Sequence, residues 1–127
     1  MAVIRVKKMP GFYFGDDAVL LAADREGIER FERTLSDTTK ERAASHLTAL
    51  GTCHEFHIGG SEARVQFEEG RVIWRLSEEK ASEILHMLAP LKASMGPGHQ
   101  YIDIDSPAHT LILSKEEYLD APWLNED

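Results

Sequence analysis

The sequence predicts an α+β fold: a single domain whose mostly antiparallel β-sheet carries two main helices packed on one face. Three observations lead there. The chain has 127 residues, 43% of them hydrophobic and 28% charged, a size that suits one core and needs no disulfide or metal to fold. Two segments open with a capping residue, Asp24 and Ser77, and then repeat apolar side chains at spacings of three and four. Around them run short aliphatic stretches bounded by glycine, proline and aspartate, as strands are. Helices and strands that each own one apolar side must bury those sides against one another.

In chain order, residues 2–7 (AVIRVK) and 17–23 (DAVLLAA) read as strands able to pair across Pro10-Gly11 and Gly15-Asp16-Asp17. Asp24 then caps a helix whose buried face holds Ile28, Phe31 and Leu35, with Glu26, Glu29, Arg30 and Arg33 on the wet side. Ala43, Leu47 and Leu50 suggest a second helical stretch from about residue 38, ended by Gly51. A two-residue turn at Glu69-Gly70 would pair Phe67 with Val72, Val65 with Trp74 and Ala63 with Leu76, all on one apolar face. A preceding turn at Gly59-Gly60 would set Phe56 opposite Ala63, His54 opposite Val65 and Thr52 opposite Phe67. Cys53, Glu55 and His57 then share the other face, where Glu55 aligns with Arg64 and Arg75.

Ser77-Glu78-Glu79 opens a helix with a capping hydroxyl and two acids that suit the helix dipole, and Ala81, Ile84, Leu85, Leu88 and Leu91 form its buried stripe. Pro90 is expected to kink or end it, and Met95-Gly96-Pro97-Gly98 to stop it. Residues 100–105 and 109–114 read as a hairpin turning at Ser106-Pro107-Ala108. Ile102 and Ile104 face inward, and His99, Tyr101, Asp103 and Asp105 outward. Residues 115–127 form an acidic tail containing aromatics. No internal repeat or low-complexity tract is visible in the residues.

The lone Cys53 excludes an internal disulfide. The N-terminal apolar run is too short for a signal peptide, and no run of apolar residues is long enough to span a bilayer, so a cytoplasmic protein without membrane partners is expected. The formal charge of −8 is unevenly spread: residues 99–127 hold seven acids (Asp103, Asp105, Glu116, Glu117, Asp120, Glu126 and Asp127) against one base, Lys115. Such an end repels phosphate backbones and attracts basic surfaces, which argues against nucleic acid as a partner and for a basic protein.

Two clusters are candidate sites. Cys53-His54-Glu55-Phe56-His57 packs potential ligands together, yet alternate strand residues sit nearly 7 Å apart, too far for adjacent metal ligands without a bulge. Cys53 and His57 are thus the metal candidates, against a plain strand face as the simpler reading. The row His99, Tyr101, Asp103, Asp105 offers an imidazole and two carboxylates for a divalent cation or acid–base work, although any half-exposed strand shows the same alternation. Protein recognition fits the row better, because it belongs to the acidic end. In the tail, Glu116, Glu117 and Asp120 flank aromatics including Trp123. They suit a partner-binding segment, and Trp123 folding back onto the sheet is the equal alternative. No phosphate loop, nucleophile elbow or His-Glu-x-x-His motif is present, and no cofactor is expected.

Two stretches, VLLAADREGIERFERTL and GHQYIDIDSPAHTLILSKEEY, resemble small bacterial immunity proteins of polymorphic-toxin systems. Asp24, Glu26, Gly27 and Ile28 fill the family's strand-to-helix pattern, and His99, Tyr101, Leu111 and Ile112 its late His-containing strand and final apolar strand. The resemblance implies a non-enzymatic cytoplasmic protein that binds and blocks a toxin domain. The acidic end suits a basic toxin, since complementary charge speeds association. The alternative, from a different class, is a small metal-assisted enzyme or ligand-binding domain built on His99 with Asp103 and Asp105, or on Cys53 and His57. An exposed strand edge would also allow a homodimer.

Overall fold

A computed structural model describes residues 2–125; Glu126 and Asp127 of the acidic end lie outside them. The chain runs β1 (Ile4–Tyr13), β2 (Asp16–Ala23), α1 (Arg25–Glu41), β3 (Ser45–Ala49), β4 (Thr52–Ile58), β5 (Arg64–Glu68), β6 (Arg71–Leu76), α2 (Glu78–Ala93), β7 (Gly98–Asp103) and β8 (Thr110–Lys115), with a closing 3-10 turn at Pro122–Asn125. The expected α+β architecture holds, with the strands divided into two mixed sheets ordered β1-β2-β8-β7 and β3-β4-β6-β5. Among the described residues four of the strand pairs are antiparallel, and the central pairs β2–β8 and β4–β6 are parallel.

The order strand-strand-helix-strand-strand occurs twice, and a twofold relation exchanges the halves. Mapping β1, β2, β3 and β4 onto β5, β6, β7 and β8 turns one sheet order into the other. The details follow the same exchange. Gly59 N–H donates to the Leu76 carbonyl as Glu116 N–H does to that of Ala23, and Asp24 caps α1 as Ser77 caps α2. This repeat has no visible counterpart in residue identities, because the pairings require only matched patterns of burial.

The Asp24 carboxylate accepts from Gly27 N–H at 2.7 Å and from Val3 N–H at 3.0 Å, tying the first turn of α1 to the chain entering β1. A Cβ on Gly27 would lie 2.1 Å from the Val3 carbonyl oxygen. The cap-and-glycine pattern behind the resemblance is therefore a structural joint. Ile28, Phe31 and Leu35 are buried as expected, and the Phe31 ring meets Phe56 and Trp74 edge-on, each at 5.1 Å between centroids. Ala81, Ile84, Leu88 and Leu91 line the buried side of α2, and both helices share one core with the inner faces of both sheets. Pro90 neither ends nor starts a break: α2 runs on to Ala93, and the Pro90 carbonyl accepts from Ser94 N–H at 3.0 Å. Having no N–H, Pro90 leaves the helical bond to the His86 carbonyl unmade, and only three helical residues follow it.

Two expectations are corrected. No separate helix fills the stretch from residue 38 to Gly51: α1 continues to Glu41 and residues 45–49 form β3, with Leu47 and Ala49 buried and Ala43 exposed. Positive φ at Leu50 and Gly51 makes a tight hairpin turn into β4, so period two wins over the helical spacing. Nor does Gly59-Gly60 make a hairpin. β4 pairs in parallel with β6, His54 beside Val72 and Phe56 beside Trp74, while β5 lies beyond β6. The Glu69-Gly70 hairpin keeps its expected register of Val65 with Trp74 and Phe67 with Val72. The inward faces survive the change of partner, but Glu55 binds Arg71 at 2.9 Å, and Arg64 turns to Glu62 at 2.9 Å.

The β7–β8 connection crosses to the other sheet. Val65 N–H donates to the Ser106 carbonyl at 3.0 Å, Asp105 N–H to that of Ala63 at 2.9 Å, and Ala63 N–H to the Asp105 carboxylate at 2.7 Å. Ile104 and Ala108 are buried beneath this seam.

Candidate functional site

The outer face of the first sheet, turned away from the shared core, carries most of the sequence candidates. Alternation places Leu111 and Leu113 inward and Ile112 and Ser114 outward. Outside, a second small core forms from Ala18, Leu20, Ala22, Ile112 and Leu124, with Phe12, Tyr118 and Trp123 packed on it. The tail is docked. The Trp123 ring packs on Phe12 and Tyr118 at 5.9 and 5.8 Å, and its carbonyl accepts from Lys7 Nζ at 2.5 Å. Trp123 thus covers the sheet instead of standing free for a partner. Burial first, then the charge of Glu117, push the pKa of the Tyr118 hydroxyl up.

Beside this covered region the aromatics surface. Pro10 and Gly11 interrupt the β1 ladder between Met9 and Tyr13, and the Asp17 carboxylate accepts from Gly11 N–H at 3.0 Å. A bulge of this kind bends its strand. Although β1 and β7 occupy opposite edges of the sheet, roughly 14 Å apart at ordinary strand spacing, the bent hairpin tip leans across and sets Tyr13 on Tyr101 at 4.8 Å. Phe14, at the tip, is 91% exposed and touches Tyr13, and Tyr101 is 44% exposed. These tip aromatics were missed in the sequence, where three consecutive aromatic residues between Gly11 and Gly15 were the available signal.

His99, Tyr101 and Asp103 face outward together on β7, as expected. The His99 ring meets Tyr101 edge-on at 5.1 Å, and its Nδ1 lies 2.9 Å from Glu117, whose other oxygen accepts from the Ser114 hydroxyl at 2.6 Å. Asp105 departs from the row: its carboxylate is committed to Ala63 N–H in the seam. Glu116 and Asp120 are exposed, the former at a left-handed φ of 59° where its N–H reaches back to Ala23. Lys115, the one base of residues 99–125, is buried, its Nζ donating to the Ser94 carbonyl at 2.6 Å beside the C-terminus of α2, where a cation suits the helix dipole. The exposed Lys and Arg count of this region is therefore zero among the described residues. Asp16, Asp17 and Asp105 further line an open groove of about 470 Å³ between the hairpin tip and the β7–β8 loop.

The central cluster is dispersed by its strand. Cys53 pairs across β3 and β6 with Thr48 and Arg71, whereas His57 stands 3.6 Å from Glu55. His54 points the other way and is fully buried; burial lowers its pKa from 6.5 to about 4. Among the described residues no group of three or more His, Cys, Asp or Glu side chains is arranged to hold a metal ion. No described helix is long and apolar enough to cross a membrane. The fold and site together define a small α+β protein with an acid-rimmed aromatic face. In comparisons with known proteins, the chain matches no family model, no curated protein and no solved structure.

Proposed function

We propose that this chain is a non-enzymatic, cytoplasmic binding protein, and specifically an immunity protein that neutralises a basic bacterial toxin domain through the outer face of its first sheet. One observation carries the reading: Phe14 and Tyr101 stand exposed on an aromatic layer whose rim holds Asp16, Asp103 and Glu117. Exposed aromatics surrounded by complementary charge make the energetic centres of protein interfaces, with the charges governing approach and specificity. The burial of Lys115 supports the same reading, since it leaves residues 99–125 with no exposed Lys or Arg of their own, while Lys80 of α2 reaches the Asp103 carbonyl at the margin of the face. Asp105 and Trp123, committed to the fold, serve as supports for this surface.

The test is capture of partners from the native host by tagged protein at low salt, followed by titration of the captured partner against variants. Phe14→Ala combined with Tyr101→Ala should weaken binding by about 100-fold or more without changing the unfolding midpoint. Asp103→Lys with Asp16→Lys should slow association and flatten its salt dependence. Binding that survives both pairs of substitutions would refute this face as the site.

A further inference from the structure

The two halves of the molecule place two equivalent seams between the sheets, and among the described residues only one of them is filled. At the filled seam, the outer edge of β5 is bonded through Ala63 and Val65 to the extended segment Asp105-Ser106, which runs parallel to it. The twofold relation carries Ala63 and Val65 onto Ile4 and Val6, since Val65 faces Trp74 as Val6 faces Leu21. It carries the β7–β8 loop onto the β3–β4 connection, which is only the two-residue turn Leu50-Gly51. That turn is too short to reach across, and an open groove of about 260 Å³ remains beside β1.

The groove is built for a chain in the missing position. Asp24 N–H donates to the Val3 carbonyl, so Val3 is a hydrogen-bonded pair with Asp24, and by alternation the N–H and C=O groups of Ile4, Val6 and Lys8 point away from β2 into the groove. Among the described residues β1 has no sheet neighbour on that side. His54 lines the floor, fully buried, with no hydrogen-bond partner for either ring nitrogen among the described residues. Burial keeps the ring neutral, so it offers one donor and one acceptor. The charged lining is Arg5, Lys7, Lys8 and Arg71 with Glu68; Arg71 is paired with Glu55 and Glu68 and Lys8 lies 3.9 Å from Asp17, so Arg5 and Lys7 carry the positive excess, the opposite sign from the face at the β7 edge.

We propose that this groove binds an extended, carboxylate-bearing peptide segment of a partner protein, which adds to the free edge of β1 as a parallel strand and meets His54 and the basic wall. The chain's own Asp105-Ser106 segment shows the required bonding: one carboxylate accepting a strand N–H, one carbonyl accepting the next outward N–H. Strand addition of this kind takes its affinity from backbone bonds and its selectivity from side-chain pockets. Ile4 to Lys8 span roughly 13 Å, room for about four to five residues of a bound strand. The site rests on the seam geometry and stands whether or not the opposite face binds a toxin.

The experiment titrates the full chain, isotopically labelled, with an acetylated and amidated peptide of sequence Ile-Asp-Ile-Asp-Ser-Pro-Ala, followed by amide NMR and hydrogen exchange. The expected result is saturation below about 1 mM, with shifts at Ile4, Val6, Lys8 and His54 and slowed exchange of the Val6 and Lys8 amides. Replacing both aspartates of the peptide by asparagine should weaken binding about tenfold or more. Val6→Pro removes an outward N–H while leaving the β1–β2 ladder bonds, and should abolish the shifts. The proposal falls if Val6 and Lys8 amides are already protected without peptide, a reading that does not depend on the variant folding. It falls equally if the peptide does not saturate, if the asparagine peptide binds as well, or if the response persists in a folded Val6→Pro protein.

Discussion

At the scale of single residues, Gly27 and His54 have the sharpest consequences. The Cβ of alanine at position 27 would meet the Val3 carbonyl at 2.1 Å, with the Asp24 carboxylate and Ile4 each 3.0 Å away. Backbone on one side and a cap on the other leave no flexible neighbour to yield. Gly27→Ala should therefore destabilise by about 2–3 kcal/mol despite alanine's better helix propensity, measurable as a lower urea midpoint at unchanged slope. An unchanged midpoint would mean that the N-terminal strand shifts freely. His54 is the pH-sensitive core residue. Its unfolded form takes up a proton near pH 6.5 and its folded form near pH 4, so the unfolded chain binds more protons between those values. Stability should accordingly be full above about pH 6.5 and fall on acidification toward pH 4, by roughly 3 kcal/mol from this group. His54→Leu should remove that portion of the acid-induced loss when unfolding of both proteins is compared at pH 7 and pH 4.5.

At the scale of elements, legibility divided along the line between local and long-range causes. Both helices were readable because their causes are local: Asp24 and Ser77 accept from N–H groups three residues on, and the apolar stripes follow within a few turns. The β5–β6 and β7–β8 hairpins were likewise readable from turn residues and alternation. β3 was misread because Ala43, Leu47 and Leu50 have helical spacing by coincidence, while the deciding alternation of Leu47 and Ala49 fills only a five-residue strand. The parallel pairing of β4 with β6 left no local trace, since placing β5 outside β6 buries His54 and Phe56 on the same face that a hairpin would. In the candidate site, the outward row of β7 was legible as alternation, but two of its roles were not. Asp105 is held by a backbone group 42 positions away, and the Tyr13–Tyr101 contact depends on a strand bend that brings opposite edges together.

At the scale of the whole molecule, the twofold exchange means that neither half owns a sheet. Each contributes one hairpin to each, joined at the central parallel pairs β2–β8 and β4–β6. A chain cut between Gly59 and Gly60 should therefore give fragments that lack cooperative unfolding when separate, and recover the far-ultraviolet spectrum and a single unfolding transition when mixed. A fragment that folds cooperatively as a monomer would contradict this dependence. The same interleaving sets the timetable of synthesis. β2 ends at Ala23, yet its partner β8 begins at Thr110, so the first hairpin must wait until the long segment between them has been translated. Contacts so distant in sequence form slowly, and throughout that interval the aliphatic edge of β2, Val19 to Ala23, is presented to whatever else is nearby. Holding that edge until the last strand arrives is a task for chaperones, and a second nascent copy of the chain is its most closely matched wrong partner.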